Sequence, residues 1–244
     1  MRALSLAVAG PLLMVLLWEA IVRSFGVPVY VLPAPSAILL KTWADLPKLL
    51  DGLSMTLFEA GVGYVIGSLI AMVLAVLFIL YPRLERVALP ALVAMNSVPV
   101  VAFAPVALLW FGSGPASKIA MVTMAVAFAV FVNAHQGLRS VDESAANLLR
   151  SFGAGPLRQM ALLRLPAALP SIMNGLRVAV VRSMIIAIVA EMLSAYKGLG
   201  WTIFEATQQV DFLRAWAAIA VASAASMVWY GIVNWIDQRF VFWR

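Results

Sequence analysis

Long apolar stretches separated by short polar connections run through the whole of this 244-residue sequence. Each stretch is long enough to cross about 30 Å of hydrocarbon as an α-helix that rises 1.5 Å per residue. The pattern therefore predicts an all-α membrane protein, with 1–244 forming a single transmembrane domain of six helical spans. The predicted spans are 4–22, 54–80, 87–110, 117–137, 171–195 and 213–237.

The longest polar connection, 138–170, has features that a plain tether lacks. Acidic residues at 142–143 favour the start of a helix, and the Gly-Ala-Gly-Pro run at 153–156 ends it. A second short basic amphipathic helix follows, and we expect Pro166 and Pro170 to stop it before the fifth span begins. A helix, a glycine turn and a second helix on the inner face are typical of a docking surface.

Composition supports the membrane interpretation. Hydrophobic residues make up 64% of the chain and charged residues only 11%, whereas soluble domains carry about 25% charged residues. The net charge of +6 is better explained by basic residues that anchor inner loops than by nucleic-acid binding, so we expect no nucleic-acid partner. With the N-terminus inside, nine basic residues fall on inner segments and six on outer ones, which favours an N-in, C-in topology.

The break-prone part of the third span is the first candidate for a translocation pathway. Pro99 and Pro105 each remove a helix hydrogen bond, and the freed carbonyls must be satisfied within protein or along a cavity. Met95 and Asn96 precede this segment and complete the candidate. A packing kink without contact to solute is the alternative.

Ionisable residues within spans are the second candidate, because they are costly in a bilayer and are commonly functional. Arg182 and Glu191 lie in the fifth span but are too far apart along the helix to pair directly. Arg177 and Arg182 would suit an anionic solute if they face the pathway. The alternative for Glu191 is a packing role, paired with a neighbouring helix or a backbone donor. Glu59, one turn into the second span, is expected to reach water.

Two further patterns bear on assembly and chemistry. Gly63 and Gly67 form a GxxxG pair, which permits close helix approach either within one subunit or across a dimer. No GxxxxGK[ST] phosphate loop occurs, so the chain lacks that route to ATP hydrolysis. It has no cysteine and one histidine, which excludes a thiolate or multi-histidine metal site within one chain. We therefore predict no catalytic residue, no metal and no cofactor in this chain.

One run in the 138–170 loop, followed by the Leu-Pro pairs at 165–166 and 169–170, resembles the EAA loop of binding-protein-dependent ABC transporter permeases. The residues of the run are Asn147, Leu148, Leu149, Arg150, Ser151, Phe152, Gly153 and Ala154. The family's Glu-Ala-Ala falls on Asn147-Leu148-Leu149, so the carboxylate is missing while the glycine is kept. Segments at 31–36, 97–112 and 190–200 resemble the branch that handles nitrate, sulfonates and taurine.

The resemblance implies the type I ABC importer permease architecture, also called MetI-like, in a bacterial inner membrane. It further implies a subunit without catalysis of its own, which forms the solute pathway with a second permease copy. Two cytosolic ATP-binding subunits, which hold ATP and Mg, would dock on the 138–170 loop through Asn147 to Ala154. An extracytoplasmic solute-binding protein would deliver a sulfonate, taurine, nitrate or a heterocyclic vitamin precursor.

An ion-gradient-driven secondary transporter or channel is the main alternative. Such carriers commonly show several intramembrane acids and internal repeats. This sequence has one convincing intramembrane acid, Glu191, and no clear repeat. An intramembrane enzyme is less favoured still, because paired catalytic side chains are not apparent.

Overall fold

The computed structural model describes the backbone of residues 2–241 and the side chains of residues 9–239 and 241. Every regular element in this range is helical, which confirms the predicted all-α class. The helices are α1 (Arg2–Ser24), α2 (Pro35–Ala44), α3 (Leu46–Leu80), α4 (Pro82–Ser97), α5 (Ala104–Phe111), α6 (Pro115–Arg139), α7 (Glu143–Ser151), α8 (Pro156–Gln159), α9 (Leu165–Ser194), α10 (Leu199–Gln208) and α11 (Phe212–Phe240). A 3₁₀ turn (Val100–Phe103) precedes α5, and a π turn (Met160–Arg164) joins α8 to α9.

Three helices in the described range, α3, α6 and α11, are each long and apolar enough to cross a membrane. Two bent pairs raise the number to as many as five if each pair counts as one span: α4 with α5, and the α8–α9 helix with α10. Helix α1 coincides with the first predicted span, 4–22. The total of six spans and the N-in, C-in topology stay predictions.

The predicted third span, 87–110, is not one continuous helix. Helix α4 ends at Ser97, and the segment from Val100 turns away from it by 90°. Val98 and Pro99 have extended backbone, and Pro99 has no N–H to continue the α-helical ladder. The expectation that Pro105 also removes a helix hydrogen bond is wrong, because Pro105 lies in the first turn of α5, where no backbone donor is needed.

The predicted separation of the second loop helix from the fifth span is also wrong. The chain stays helical from Pro156 to Ser194, so α8, the π turn and α9 form one long helix. In the π turn the N–H of Leu165 donates to the carbonyl of Met160, five residues back. This wider turn comes directly before Pro166 and makes room for the ring that would otherwise clash with the preceding turn.

Helices α3, α6 and α9 pack side by side and form the main core. A Cβ on Gly63 would lie 2.6 Å from Cβ of Val122, and one on Gly67 would lie 2.8 Å from the carbonyl oxygen of Thr123. The two glycines therefore let the backbones of α3 and α6 approach closely. Of the two alternatives for the GxxxG pair, the structure shows contact within one subunit.

The long helix gives the molecule two distinguishable ends. The loop end carries α7 and the start of α8, and the far end carries the C-terminus of α9 and α10. At 1.5 Å per residue, the helix between Pro156 and Ser194 is about 58 Å long.

Candidate functional site

Helix α7 at the loop end begins with a side-chain cap. The carboxylate of Asp142 accepts a hydrogen bond of 3.0 Å from the backbone N–H of Ser144, and Glu143 lies in the first turn. An acidic first turn and an Asp cap both stabilise a helix N-terminus. The predicted helix start at 142–143 is therefore confirmed.

The turn after α7 is closed by backbone hydrogen bonds to the last carbonyls of the helix. The N–H of Gly153 donates to the carbonyl of Arg150 (2.9 Å), and the N–H of Ala154 donates to that of Leu149 (3.0 Å). Gly153 has φ of +77°, the left-handed conformation that glycine adopts at no steric cost. This is a Schellman motif, and it satisfies helix-end carbonyls that would otherwise lack partners. A Cβ on Gly153 would meet nothing within 4 Å. The positive φ of the backbone, and not a lack of space, therefore favours glycine here.

A buried side chain fixes the turn to the next helix. The amide of Gln159, 7% exposed, donates to the carbonyl of Ala154 over 2.8 Å. Arg164, in the π turn, donates to the carbonyl of Leu138 at the end of α6 (2.8 Å). The turn is thereby connected both to the long helix and to α6.

Three large apolar side chains of this region are exposed to solvent. Leu148, Phe152 and Leu157 are 58%, 77% and 71% exposed, and we call these three the loop face. Asn147, at the position of the missing family carboxylate, accepts a hydrogen bond from Arg150 within the same helix (3.1 Å). Large exposed apolar side chains on a rigid turn are typical of a protein interaction site.

The structure brings Met95 and Asn96 together on one cavity of about 180 Å³ near the α4–α5 break. Val100 after the break and Met124 on α6 also line it. Pro99 lies in the break itself, and Pro105 lies beyond it at the start of α5.

Arg182 and Arg177 have different environments on α9. Arg182 is exposed and forms no hydrogen bond or ion pair with the described residues. Arg177 forms an ion pair of 3.1 Å with the buried carboxylate of Asp237 and donates to Asn234 on α11. Arg177 is therefore engaged in packing α9 against α11, and only Arg182 stays available to a solute.

Glu191 lies inside the far end and is fully buried. The hydroxyl of Thr56 lies 2.8 Å and 3.0 Å from its two carboxylate oxygens, and the N–H of Gly200 donates to one of them over 2.7 Å. Among the described residues, Glu191 forms no hydrogen bond or ion pair with Arg182, and its neighbour Ala190 packs in one hydrophobic cluster with Ala104 at the start of α5. Glu59 is 1% exposed, so the expectation that it reaches water is wrong.

Sequence reasoning missed Thr56 and Lys118 as members of this region. Lys118 lies in the first turn of α6 and is 1% exposed, although its charge suggested an outer loop residue. No local pattern could have found Thr56, because its partner Glu191 lies 135 residues away. Lys118 also meets carbonyls close in sequence, but its contact with Ser194 spans 76 residues. Glu59 carried a usable signal, since it is an acid within a predicted span.

Residues 63–242 match the family model described as "Binding-protein-dependent transport system inner membrane component". This chain belongs to that family.

Among its relatives is a "Probable ABC transporter permease protein" of Haemophilus influenzae, which is 33% identical over 97% of this chain and 96% of its own length. The formylaminopyrimidine transport permease protein ThiX of Halalkalibacterium halodurans is 32% identical over 96% of this chain and 93% of its own. A solved bacterial ABC transporter involved in import of the acidic polysaccharide alginate has the same fold, with a TM-score of 0.69 at 14% identity, covering 97% of this chain and 96% of that one. The protein is therefore an ABC importer permease of the MetI-like type, located in the inner membrane.

Proposed function

We propose that this permease forms a homodimer whose two copies enclose the solute pathway, with one cytosolic ATPase docked on the 138–170 loop of each copy. The loop end then lies in the cytosol and the far end faces the extracytoplasmic binding protein. ATP and Mg are held by the ATPases, and this chain contributes no catalytic residue.

The observation that most strongly supports coupling between the permease and the ATPase is the exposed loop face on a turn closed by backbone hydrogen bonds. Leu148 and Phe152 lie on α7 and its C-terminal turn, and Leu157 lies at the start of the long helix. The Gly153 turn and the Gln159 amide hold α7 and the long helix in position. An ATPase groove that takes up these apolar side chains would move the turn as a unit, because hydrogen bonds connect the two helices on either side of it. The missing family carboxylate at Asn147 leaves this apolar contact intact.

Motion at the loop passes into the membrane through the long helix. Helix α8 continues into α9 without a break, so displacement of the turn must tilt or shift α9. Switching between two packings of nearly rigid helices is a common form of alternating access. The 58 Å helix extends from the loop end to the far end, as α6 also does.

Several candidate pathway residues remain exposed in the single chain. Met95 and Asn96 line their cavity beside the α4–α5 break, and Arg182 is exposed on α9. We propose that the second copy closes over these residues, which leaves Asn96 and Arg182 as polar groups along an otherwise apolar path. Glu191, which has no exposed surface, acts through packing instead.

The solute is proposed to be a small molecule of the sulfonate, taurine, nitrate or heterocyclic vitamin precursor class. The name of the ThiX relative makes formylaminopyrimidine the first compound to test. An exposed arginine on the pathway suits anionic members of this set as well.

The decisive experiment is co-expression of the chain with the ATPase and binding protein of its own cell, followed by purification and reconstitution in proteoliposomes. We expect the ATPase to co-purify with the permease, and solute-loaded binding protein to stimulate ATP hydrolysis and uptake. Failure to retain an ATPase, or uptake that an ion gradient sustains without ATP, would contradict the proposal.

A further inference from the structure

Four polar side chains are buried together at the far end, between α3, α6 and α9. Thr56 and Glu191 are 0% exposed, and Glu59 and Lys118 are 1% exposed. We call these four residues the buried polar cluster. Isolated charges cost several kcal/mol or more to bury, so the contacts within the cluster decide which charges it carries.

Within the cluster, Glu191 receives the hydrogen bonds that an ionised carboxylate requires. Thr56 donates its hydroxyl proton to Glu191, and the backbone N–H of Gly200 donates as well. The Thr56 oxygen in turn accepts the N–H of Leu199 over 2.9 Å. Donors from α3 and from the first turn of α10 therefore converge on the Glu191 carboxylate.

Glu59 has the opposite surroundings. Its Oε2 atom is buried and accepts no hydrogen bond from any N–H or O–H group of the described residues. Glu59 lies one turn after Thr56 on α3, and Thr56 contacts Glu191, so the two buried carboxyl groups lie close to each other. Two ionised carboxylates so close together repel each other strongly, whereas one proton between them creates a short favourable hydrogen bond.

Lys118 supplies the balancing positive charge. Its ammonium donates to the carbonyl oxygens of Ser113 (2.5 Å) and Ser194 (2.8 Å), and a third carbonyl, that of Gly114, lies 3.3 Å away. These contacts connect α6 with the loop after α5 and with the last residue of α9. One ammonium and one carboxylate leave the cluster neutral, as burial in an apolar bundle requires.

The turn before α10 encloses Glu191 so tightly that side chains are excluded there. Gly198 has φ of +116°, and a Cβ on it would overlap the Glu191 carboxylate. A Cβ on Gly200 would lie 2.7 Å from Cβ of Glu191. The two glycines thus let the backbone approach the carboxylate closely, and the N–H of Gly200, in the first turn of α10, donates to it.

We propose that Glu59 is protonated and donates a hydrogen bond to ionised Glu191, and that this pair and Lys118 form a neutral lock that fixes the end of α9 to α3, α6 and α10. The protonation state stands on the contacts alone. Its role in transport rests on the proposed function: because the lock joins α10 to the long helix, movement of the loop end would reach the far surface, where Tyr196 is 80% exposed.

Matched Glu-to-Gln changes in the full-length permease test the lock. Glu59→Gln keeps a neutral donor to Glu191, so we expect stability in detergent and solute-stimulated transport to stay within about twofold of the parent. Glu191→Gln removes the negative charge that balances Lys118, so we expect a lower unfolding temperature and a loss of transport of about tenfold or more. Adding Lys118→Met to Glu191→Gln should restore part of the stability. Glu205→Gln, in a partly exposed ion pair with Arg214, is the control and should change little.

Infrared spectroscopy of the isolated permease reports the proton directly. We expect a C=O stretching band of a protonated buried carboxyl, which shifts in D₂O and disappears in Glu59→Gln. Absence of such a band, or equal damage by both glutamine variants, would overturn the shared proton. Tolerance of Glu191→Gln would overturn the lock. Both infrared and stability measurements need no ATPase, so they stay decisive even if the proposed coupling fails.

Discussion

The two ends of the long helix solve opposite problems. At the loop end, Leu148 and Phe152 expose apolar surface on a turn whose backbone groups are internally satisfied. At the far end, Glu59, Lys118 and Glu191 are buried, and backbone groups form hydrogen bonds with Lys118 and Glu191. An end built to meet a partner leaves its hydrophobic groups uncovered, whereas an end built to hold helices together satisfies its polar groups within the chain.

The strongest way to break this contrast is to remove the apolar character of the loop face. We expect the double change Leu148→Glu and Phe152→Glu to leave the permease folded in the membrane, because both side chains are exposed. Retention of the ATPase in co-purification should fall by about tenfold or more, as expected when central apolar anchors are lost. Val210→Glu, an equally polar change at an exposed residue near α10, is the control. Equal loss in both variants would contradict docking at the loop face.

The seam between α3 and α6 lies between the two regions and tests whether they belong to one rigid body. Gly63→Ala places a methyl group 2.6 Å from the Val122 Cβ, and overpacking of this kind costs about 1–3 kcal/mol. Gly61→Ala on the same helix meets only a ring atom of Trp229 at 3.9 Å and should be neutral or slightly stabilising. Thermal unfolding in detergent compares the two variants. Similar unfolding temperatures would indicate that α3 and α6 are not in close contact.

The loop turn itself can be tested through backbone conformation. Gly153→Val forces a β-branched residue into the left-handed region, at a cost of about 1–2 kcal/mol, whereas Asn tolerates that region. We expect Gly153→Val to reduce solute-stimulated ATP hydrolysis about tenfold, with Gly153→Asn close to the parent. Outside the two adjacent residues, no atom lies within 4 Å of the added Cβ, so a clash with another part of the chain would not explain the loss. Full coupling in the valine variant would show that the turn geometry is not needed.

The smallest expected effect concerns the buried amide beneath the turn. Gln159→Leu leaves the Ala154 carbonyl without its 2.8 Å donor, which costs about 1 kcal/mol. The loss should appear as faster hydrogen exchange or proteolysis of the 143–159 segment, with ATPase retention preserved. Gln159→Glu is a useful comparison, because it also removes the amide donor while keeping the shape. Unchanged protection in both variants would mean that the amide does not fix the turn.

Local sequence signals predicted the loop end well. The acidic helix start at Asp142 and the glycine at Gly153 act on backbone groups only a few residues away, so they have the same effect in the folded chain as the sequence predicts. The prolines at 166 and 105 were misjudged because their cost depends on the adjacent turn. A π turn accommodates the first, and a position in the first turn of a helix makes the second harmless.

The far end was less predictable. Glu191 was recognisable as an acid within a span, but its partner Thr56 lies 135 residues away. Lys118 meets the carbonyl of Ser194 across 76 residues and looked like an ordinary loop charge. Which helix faces another, and at what distance, cannot be inferred from a hydrophobic period alone.

The sequence by itself determined that this chain is a helical membrane protein with an ABC permease loop, because apolar length, turn residues and motif spacing are local properties. Only the tertiary structure decided that Gly63 and Gly67 act within one subunit, that the chain bends at Pro99, and that Glu59 and Glu191 are both buried. The physical reason is the same in each case. Close packing of helices distant in sequence determines which polar groups lose water and which partners replace it.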